Sequence, residues 1–258
     1  MNRPTPRGAW EGLRKRVEFR SEVYATAAVA SIVGRLATRA FRAFGWEKAA
    51  KAQSLLTSAT SFWTVSSLAA ASWIHDRSPL HRWTWLPDAL GQLRPTRAAN
   101  VHAGFDETST ALKEHLPETE WTILDFFDSA ALKSASLQKA RRLYPPPEEQ
   151  KLTHLHQWPI RDGEFDAVFF LLSAHYLKKR ESRRALLSEA KRSLGESGRV
   201  ILVDHLRDVA NGLAFGPGCL TFPREEAWLA DFAAVGLVER RFFRLTPFLG
   251  VFVLQKEA

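Results

Sequence analysis

The chain has 258 residues, of which 45% are apolar and 25% charged, so it can bury a core and is not a disordered polypeptide. Its net charge of +8 is uneven, because residues 1–98 hold 15 Lys and Arg against 6 Asp and Glu, whereas residues 99–258 hold 21 against 22. This distribution argues against a nucleic-acid role for the larger region. The single cysteine, Cys219, excludes an intrachain disulfide and a cysteine metal cluster, so no metal site is predicted.

The N-terminal segment carries no export signal. It lacks the combination of a basic start, an apolar stretch and a small-residue cleavage site. We therefore expect a cytoplasmic protein. Residues 1–9 are rich in Pro, Arg and Gly and are predicted to be loosely attached.

A helix is predicted from Trp10 to Phe44, with basic and apolar residues on different faces. The basic face holds Arg35, Arg39 and Arg42, and the apolar face holds Val29, Val33, Leu36, Ala40 and Phe44. Two interpretations remain open. The helix packs on the protein with a solvated basic face, or it contacts an anionic membrane surface, for which Phe41, Phe44 and Trp46 would be anchors.

A second long helix is predicted from Glu47 to about Ile74, and residues 52–74 carry no formal charge. Six Ser, three Thr and one Gln among these 23 positions make insertion across a bilayer poor. The pattern favours a helix that packs on one face against the rest of the chain or against a second subunit, which would give a homodimer.

The stretch from Ala98 to Asp128 predicts a strand, a turn, a helix and a strand. The strands are 98–102 and 121–126, and the helix is 107–115. Such a unit opens a doubly wound sheet whose first turn faces a nucleotide. The turn holds a single glycine, Gly104, and Asp125 follows Asp106 by nineteen residues, near the spacing at which an acid meets a ribose.

Later segments continue the alternation of strands and helices. Short strands are predicted at 152–155, 167–172 and 199–204, with a final hairpin of 238–245 and 250–255. Residues 213–222 contain Gly-Pro-Gly and are predicted to be a flexible cover. The segment 157–168, QWPIRDGEFDAV, combines a Trp-Pro pair, an Asp-Gly turn and a Phe-Asp pair before an apolar strand.

From Asn100 onward the chain resembles the class I S-adenosylmethionine-dependent methyltransferases, of the small-molecule type that methylates quinones. The resemblance rests on the segment 157–168, on Asp125, on the turn before the fifth strand and on the final hairpin. It implies an α/β fold with a doubly wound, seven-stranded, mostly parallel Rossmann-like sheet in residues 98–258. Residues 1–97 form a basic, Trp-rich helical region before it.

The resemblance also implies a cofactor site for S-adenosylmethionine. The family's strand-end acid and G-x-G-x-G match Asn100, His102, Gly104 and Asp106, so only the middle glycine is present. Asp106 is either a helix N-cap or the partner of a cationic group such as the methionine amino group. The remaining cofactor residues would be Asp125 with Phe126 near the ribose and His154 or His156 at the adenine edge, where the family has an acid and where a merely structural histidine is an equal alternative.

Acceptor residues are predicted after the fourth and fifth strands, because ligands of open α/β sheets bind at the carboxyl ends of strands. His175 and Tyr176 follow the fourth strand, and His205 follows the fifth. An imidazole could serve as general base for an acceptor that must lose a proton. The polar residues 205–211 could equally form a turn satisfied by their own side chains.

The sequence thus predicts methyl transfer from S-adenosylmethionine to a small, fairly apolar acceptor. No nucleic-acid partner is expected, and weak membrane-surface contact through the N-terminal helices would make the protein peripheral to the membrane. The alternative is a protein that keeps the methyltransferase fold but has lost or altered cofactor use, and acts as a binding or scaffold partner or as a non-methyl transferase.

Overall fold

The computed structural model describes residues 8, 10–128, 132, 134–146 and 149–257. The predicted loose tail, residues 1–9, lies outside these residues except for Gly8. The chain forms two compact units. The first extends to Arg77 and includes Gly212–Pro217, and the second comprises Ser78–Asn211 and the residues from Gly218 onward.

The first unit is helical. It contains α1 (Glu11–Phe19), α2 (Ser21–Ala43), α3 (Glu47–Ser72) and a π-helical turn, Trp73–Arg77. The single helix predicted for residues 10–44 is therefore wrong, because the chain breaks at Arg20. Asp76 explains the separate α1, since its carboxylate accepts hydrogen bonds from the N–H groups of Gly12 at 2.7 Å and Leu13 at 3.1 Å.

Helices α2 and α3 form an antiparallel hairpin whose contact is made by small and hydroxyl-bearing residues. A Cβ on Gly34 would lie 2.2 Å from Thr57 Oγ1, so only glycine allows this approach. The Ser61 hydroxyl lies 3.2 Å from that of Ser31. None of the described helices is both long enough and apolar enough to cross a membrane.

The second unit is built on a seven-stranded sheet in the order β3-β2-β1-β4-β5-β7-β6. The strands are β1 (Arg97–His102), β2 (Glu120–Asp125), β3 (Lys151–Leu152), β4 (Phe165–Leu171), β5 (Leu194–His205), β6 (Leu237–Thr246) and β7 (Leu249–Lys256). Strand β7 pairs antiparallel with β5 and β6, and the other pairs are parallel. The predicted seven-stranded, mostly parallel Rossmann-like sheet is confirmed.

The helices of this unit are α4 (Leu86–Leu90), α5 (Ser109–His115), α6 (Ala135–Leu143), α7 (Arg180–Ser193) and α9 (Glu225–Ala234), while α8 (Val209–Phe215) runs into the first unit. Short 3-10 helices occupy Pro79–Arg82, Ala174–Tyr176 and Gly216–Thr221. The segment predicted as a flexible cover is thus largely helical. The strand predicted for residues 152–155 is wrong beyond its first residue, because β3 consists only of Lys151–Leu152.

The centre of the sheet is the apolar core. Residues 167–170 of β4 and 200–203 of β5 are all fully buried, as expected for central strands covered on both faces. Trp158 and Trp228 pack into the same core. This rigid centre fixes the positions of the loops that follow β1, β2, β4 and β5.

Candidate active site

The four parallel strands β2, β1, β4 and β5 end at one edge of the sheet, and the polar residues gather there in two groups. At the first group, which we call the β1–β2 edge, His102 pairs in register with Asp125. At the second, the β4–β5 edge, Leu171 pairs with Val203 and the chain then turns into His175 and His205. The carboxyl edge is where this type of sheet binds ligands.

The turn after β1 has the positive φ that its glycine predicts. Gly104 has φ +94°, a conformation that side chains disfavour, and a Cβ there would lie 2.7 Å from the ring of Phe127. His102 folds back onto this turn, and its Nδ1 accepts a hydrogen bond of 3.1 Å from the Gly104 N–H. The proton of a neutral His102 is therefore on Nε2, which is buried and has no hydrogen-bond partner among the described residues.

Asp106 lies two residues before Thr108, the N-cap of helix α5, so it is not the N-cap that the sequence predicts and the helix begins at Ser109 instead of Glu107. Its Oδ1 accepts hydrogen bonds from the N–H groups of Thr108 at 2.9 Å and Ser109 at 3.0 Å, at the start of the helix. The buried Asn100 adds a bond of 2.7 Å from its Nδ2 to the Ser109 hydroxyl. These contacts hold the turn rigidly, and the predicted contact of Asp106 with a cationic ligand group stays a prediction.

Asp125, the predicted ribose acid, is fully buried at the end of β2 and already has two partners. Its Oδ1 accepts the Phe127 N–H at 2.9 Å, and its Oδ2 forms an ion pair with Arg141 of helix α6. The Arg141 guanidinium also lies over the Phe127 ring, 4.6 Å from the centroid, and 3.4 Å from the Gly104 carbonyl. One side chain thus bridges the two turns between which the resemblance places the cofactor.

The residues of the β1–β2 edge fit S-adenosylmethionine provided that Arg141 moves away from Asp125. The positive φ of Gly104, the unpartnered Nε2–H of His102 and the strand-end carboxylate of Asp125 are groups that a nucleoside with a polar tail can use. A ribose hydroxyl cannot reach Asp125 while that carboxylate has no exposed surface. Arg141, whose side chain is 20% exposed, must therefore move aside.

Three other predicted cofactor residues lie apart from this contact network. The Phe126 side chain is only 2% exposed and packs in the core, while its N–H extends the strand pairing to the His102 carbonyl. His154 and His156 are exposed, and His154 forms an isolated bridge with Gln157. Among the described residues, no hydrogen bond or ion pair joins either histidine to Asp125, and their role at an adenine edge stays a prediction.

The β4–β5 edge contains a carboxylate–imidazole pair. His175 Nδ1 lies 2.6 Å from Oδ1 of Asp204, and the His175 N–H donates to Oδ2 at 2.8 Å. Asp204 is fully buried, whereas the His175 side chain keeps 13% of its surface exposed. Because the carboxylate only accepts, the proton is on Nδ1 of a neutral His175, and Nε2 is the basic nitrogen.

Aromatic rings surround this pair. Tyr176 lies 4.2 Å from His175 between ring centroids, and His205 and Phe222 lie at 5.7 and 5.8 Å. His205 stacks on Phe222 at 4.8 Å, and its Nδ1 lies 3.2 Å from Oδ1 of the buried Asn211. The structure therefore brings the three predicted acceptor-side residues, His175, Tyr176 and His205, into one cluster.

Strained backbone precedes this cluster. Leu172 has φ +54°, which is uncommon for a residue with a side chain, and its N–H donates to the Val203 carbonyl at 2.8 Å. The Ser173 hydroxyl donates to the Val101 carbonyl at 2.8 Å and ties the loop to β1. Both bonds position His175 relative to the two neighbouring strands.

Sequence reasoning missed Asp204, Arg141, Phe127 and Phe222. Asp204 had a local signal, because it is the one acid within the apolar run of β5 and immediately precedes a histidine. Arg141 had none, since it is one of several basic residues in a helix and meets Asp125 only through the fold. Among the described residues, no three His, Cys, Asp or Glu side chains are grouped to hold a metal ion.

Comparisons with known proteins show which proteins this chain is similar to. A family profile described as a methyltransferase domain matches residues 104–202. A search of curated proteins finds no match to the sequence. The fold is similar to that of an S-adenosylmethionine-dependent methyltransferase from Aquifex aeolicus, with 16% identity, a TM-score of 0.52, and coverage of 70% of this chain and 95% of that one.

A second similar structure is a protein from Pyrococcus horikoshii, with 13% identity and a TM-score of 0.50. The match covers 68% of this chain and 89% of that one. At these identities the structural likeness concerns the fold alone. Residues 104–202 are similar to a methyltransferase domain, and the sheet has a fold similar to that of an S-adenosylmethionine-dependent methyltransferase.

Proposed function

We propose that this domain transfers a methyl group from S-adenosylmethionine to an acidic hydroxyl, phenolic or enolic, of a small and fairly apolar acceptor. The observation that carries the proposal is the pair of His175 and Asp204, which are joined by two hydrogen bonds at the carboxyl end of the central strands. A base is required only where the acceptor loses a proton, and the pair supplies one.

Asp204 gives His175 the orientation that a base needs. Its two oxygens bind the backbone N–H and the Nδ1–H of the same residue, so the ring cannot flip without losing a bond to a buried carboxylate. Proton uptake at Nε2 makes an imidazolium, which the adjacent negative charge stabilises. His175 then acts by removing the hydroxyl proton as the oxygen becomes nucleophilic.

The rings around His175 favour a flat, apolar acceptor. Tyr176 and Phe222 approach His175 from different directions, and His205 lies edge-on to it. Aromatic faces bind flat rings by offset stacking and exclude water from the hydroxyl that is to lose its proton.

The cofactor supplies an activated methyl group on a sulfonium, so the protein needs mainly to align the acceptor oxygen and to exclude water. Gly104 would admit the methionine portion, because it places no side chain in the turn. Asp125 would accept the ribose hydroxyls once Arg141 has moved away, and the buried Nε2–H of His102 would donate only once the same part of the site has opened.

The test is formation of S-adenosylhomocysteine with a panel of small phenols and enols, compared with thiol and amine analogues of the same shape. We expect turnover with the hydroxyl compounds and loss of most of that turnover in His175→Ala. His115→Ala is the matched control, because that exposed imidazole lies in α5. Turnover of hydroxyl compounds that is undiminished in His175→Ala would contradict the proposed base.

A second candidate function is favoured by the Arg141 ion pair. A domain whose ribose carboxylate is permanently bonded to its own guanidinium would keep the methyltransferase fold without using the cofactor, and would act by binding a partner. The two candidates differ in one property. The first requires that S-adenosylhomocysteine binds the parent chain and displaces Arg141, and the second predicts that the parent does not bind it at millimolar concentration.

A further inference from the structure

We propose that the α2–α3 hairpin docks on an anionic lipid surface, through its tip (residues 41–51) and the adjoining exposed face of α2. The starting observation is that the hairpin has its large apolar side chains outside. Exposed fractions of 55% or more are found for Val23, Val29, Ile32, Val33, Leu36, Phe44, Trp46, Leu55, Leu56, Phe62 and Val65. A monomeric protein in water rarely leaves so large an apolar surface uncovered.

The contact between α2 and α3 contains small and hydroxyl-bearing residues instead of large apolar ones. The buried residues of α2 are Gly34 and Thr38, and those near the middle of the α3 contact include Thr57. The Thr38 and Thr57 hydroxyls donate to carbonyls one turn earlier in their own helices, at 2.8 and 2.9 Å, so they need no water. Some helices pack through small residues and through hydroxyl groups bonded to their own backbone. Their large apolar side chains then stay on the outside, where they can contact an apolar environment.

Charge distinguishes a lipid surface from a second copy of the chain. Arg35, Arg39, Arg42, Lys48 and Lys51 are all exposed on the hairpin, and Glu47 is the one acidic residue between positions 23 and 75. A two-fold symmetric contact would place the same basic patch on both subunits and bring like charges together. Anionic headgroups neutralise the patch, and each basic residue near such a surface adds to the attraction.

The tip has the aromatic residues that lipid interfaces bind. Phe44 is 72% exposed and Trp46 is 59% exposed, and their ring centroids lie 5.9 Å apart around Gly45. Aromatic side chains of this kind settle at the level of the headgroups, while arginines keep their charged ends in water. The geometry therefore points to contact in the plane of the interface, with α2 contributing Val29, Val33 and Leu36.

The test is sedimentation of the full chain with phosphatidylglycerol vesicles and with phosphatidylcholine vesicles, at low and at high salt. We expect pelleting with the anionic vesicles at low salt and release at high salt. Phe44→Ser with Trp46→Ser should weaken binding by about tenfold or more. Arg35→Gln with Arg39→Gln and Arg42→Gln should weaken it by about a hundredfold.

Matched controls test whether vesicle binding depends on this surface or only on exposed apolar area and positive charge in general. Leu143→Ser with Leu152→Ser removes two exposed apolar residues elsewhere, and Arg94→Gln with Arg142→Gln and Arg240→Gln removes three exposed charges elsewhere. Both controls should bind as the parent does. The proposal would be overturned if the chain does not pellet at low salt or if the controls lose binding equally. It would also be overturned if the chain does not bind vesicles and instead forms a dimer, measured by sedimentation equilibrium, that the tip variants dissociate.

Discussion

The β1–β2 edge and the β4–β5 edge each contain a buried carboxylate at the end of a strand, and they differ in the partner of that carboxylate. Asp125 ends β2 and Asp204 lies near the end of β5, and both are fully buried. Asp125 is bonded to a guanidinium, which has only donors, whereas Asp204 is bonded to an imidazole, whose second ring nitrogen is an acceptor. At the β1–β2 edge, Asp125 holds Arg141 in an ion pair that we call the latch. At the β4–β5 edge, Asp204 orients His175 as a base.

The largest expected effect is at the β4–β5 edge. His175→Ala should lower the rate of hydroxyl methylation by at least about a hundredfold, because it removes the group that takes the proton. Asp204→Asn should give a similar loss, since an amide no longer fixes the ring nitrogen that carries hydrogen. Steady-state kinetics on the best acceptor of the panel measures both.

The affinity for S-adenosylhomocysteine provides the control for these variants. It should stay unchanged in His175→Ala, because His175 has no contact with the β1–β2 edge among the bonds described above. A parallel fall in affinity and rate would show that the two edges are not separate in function.

The next effect is at the latch. Arg141→Met keeps an apolar chain over Phe127 but removes the ion pair that a ribose must displace. We expect the affinity for S-adenosylhomocysteine to rise by about tenfold, and the free energy of unfolding without ligand to fall by about 3 kcal/mol because Asp125 is left unpaired. Calorimetric titration and denaturant unfolding measure the two quantities.

Arg141→Lys is the matched variant for the latch. It keeps a positive charge and should change the affinity less than the methionine does. Weaker binding in Arg141→Met would instead mean that the guanidinium contacts the ligand directly, and the latch interpretation would be wrong.

A smaller effect is expected at the first turn. Gly104→Ala places a Cβ 2.7 Å from the Phe127 ring and keeps φ at +94°, so the free energy of unfolding should fall by about 2 kcal/mol. Gly163→Ala is a matched control, because Gly163 also has a positive φ, +68°, but no atom within 4 Å of the added Cβ. Equal losses in thermal unfolding would mean that Phe127 does not press on the turn.

The smallest effect is expected at the opposite, amino edge of the sheet, which neither function uses. Burial raises the pKa of Asp166, but hydrogen bonds from the N–H groups of Arg97 and Thr96 and from the Thr96 hydroxyl outweigh it and hold that pKa below its ordinary value. The stabilisation is therefore present above the pKa of the unfolded chain and is lost as pH falls through the lowered value.

Asp166→Asn should cost about 1 kcal/mol of unfolding free energy at neutral pH, and the difference from the parent should shrink in acid. Both edges should keep their ligand affinity and rate in this variant. Denaturant unfolding across acidic pH measures the effect, and a difference that grows as pH falls would contradict the assignment.

The sequence predicted most of the sheet because its strands have local signals. The apolar run of β4 and the Phe-Asp pair before it mark a buried central strand, and the βαβ unit was found within one or two residues. The hydrogen bonds of Asp76 to the start of α1 were missed because Asp76 is distant in sequence from Gly12 and Leu13. Long-range hydrogen bonds of this kind leave no periodic pattern.

The positions of the candidate residues could be predicted from the sequence, but their pairings could not. His175, Tyr176 and His205 were expected to follow strands, and Gly104 to have a positive φ, and they do; their roles stay predictions. The bonds of Asp204 to His175 and of Asp125 to Arg141 decide what each edge does, and each joins residues from different elements. Spacing along the chain does not encode such contacts.

Cofactor use at the β1–β2 edge is tested most directly by calorimetric titration of S-adenosylhomocysteine into the full chain, Asp125→Ala and Arg141→Met. We expect saturable binding to the parent, tighter binding to Arg141→Met and loss of most of the affinity in Asp125→Ala. No binding at millimolar ligand in either the parent or Arg141→Met would contradict cofactor use by this domain, and unchanged affinity in Asp125→Ala would contradict its placement at the β1–β2 edge.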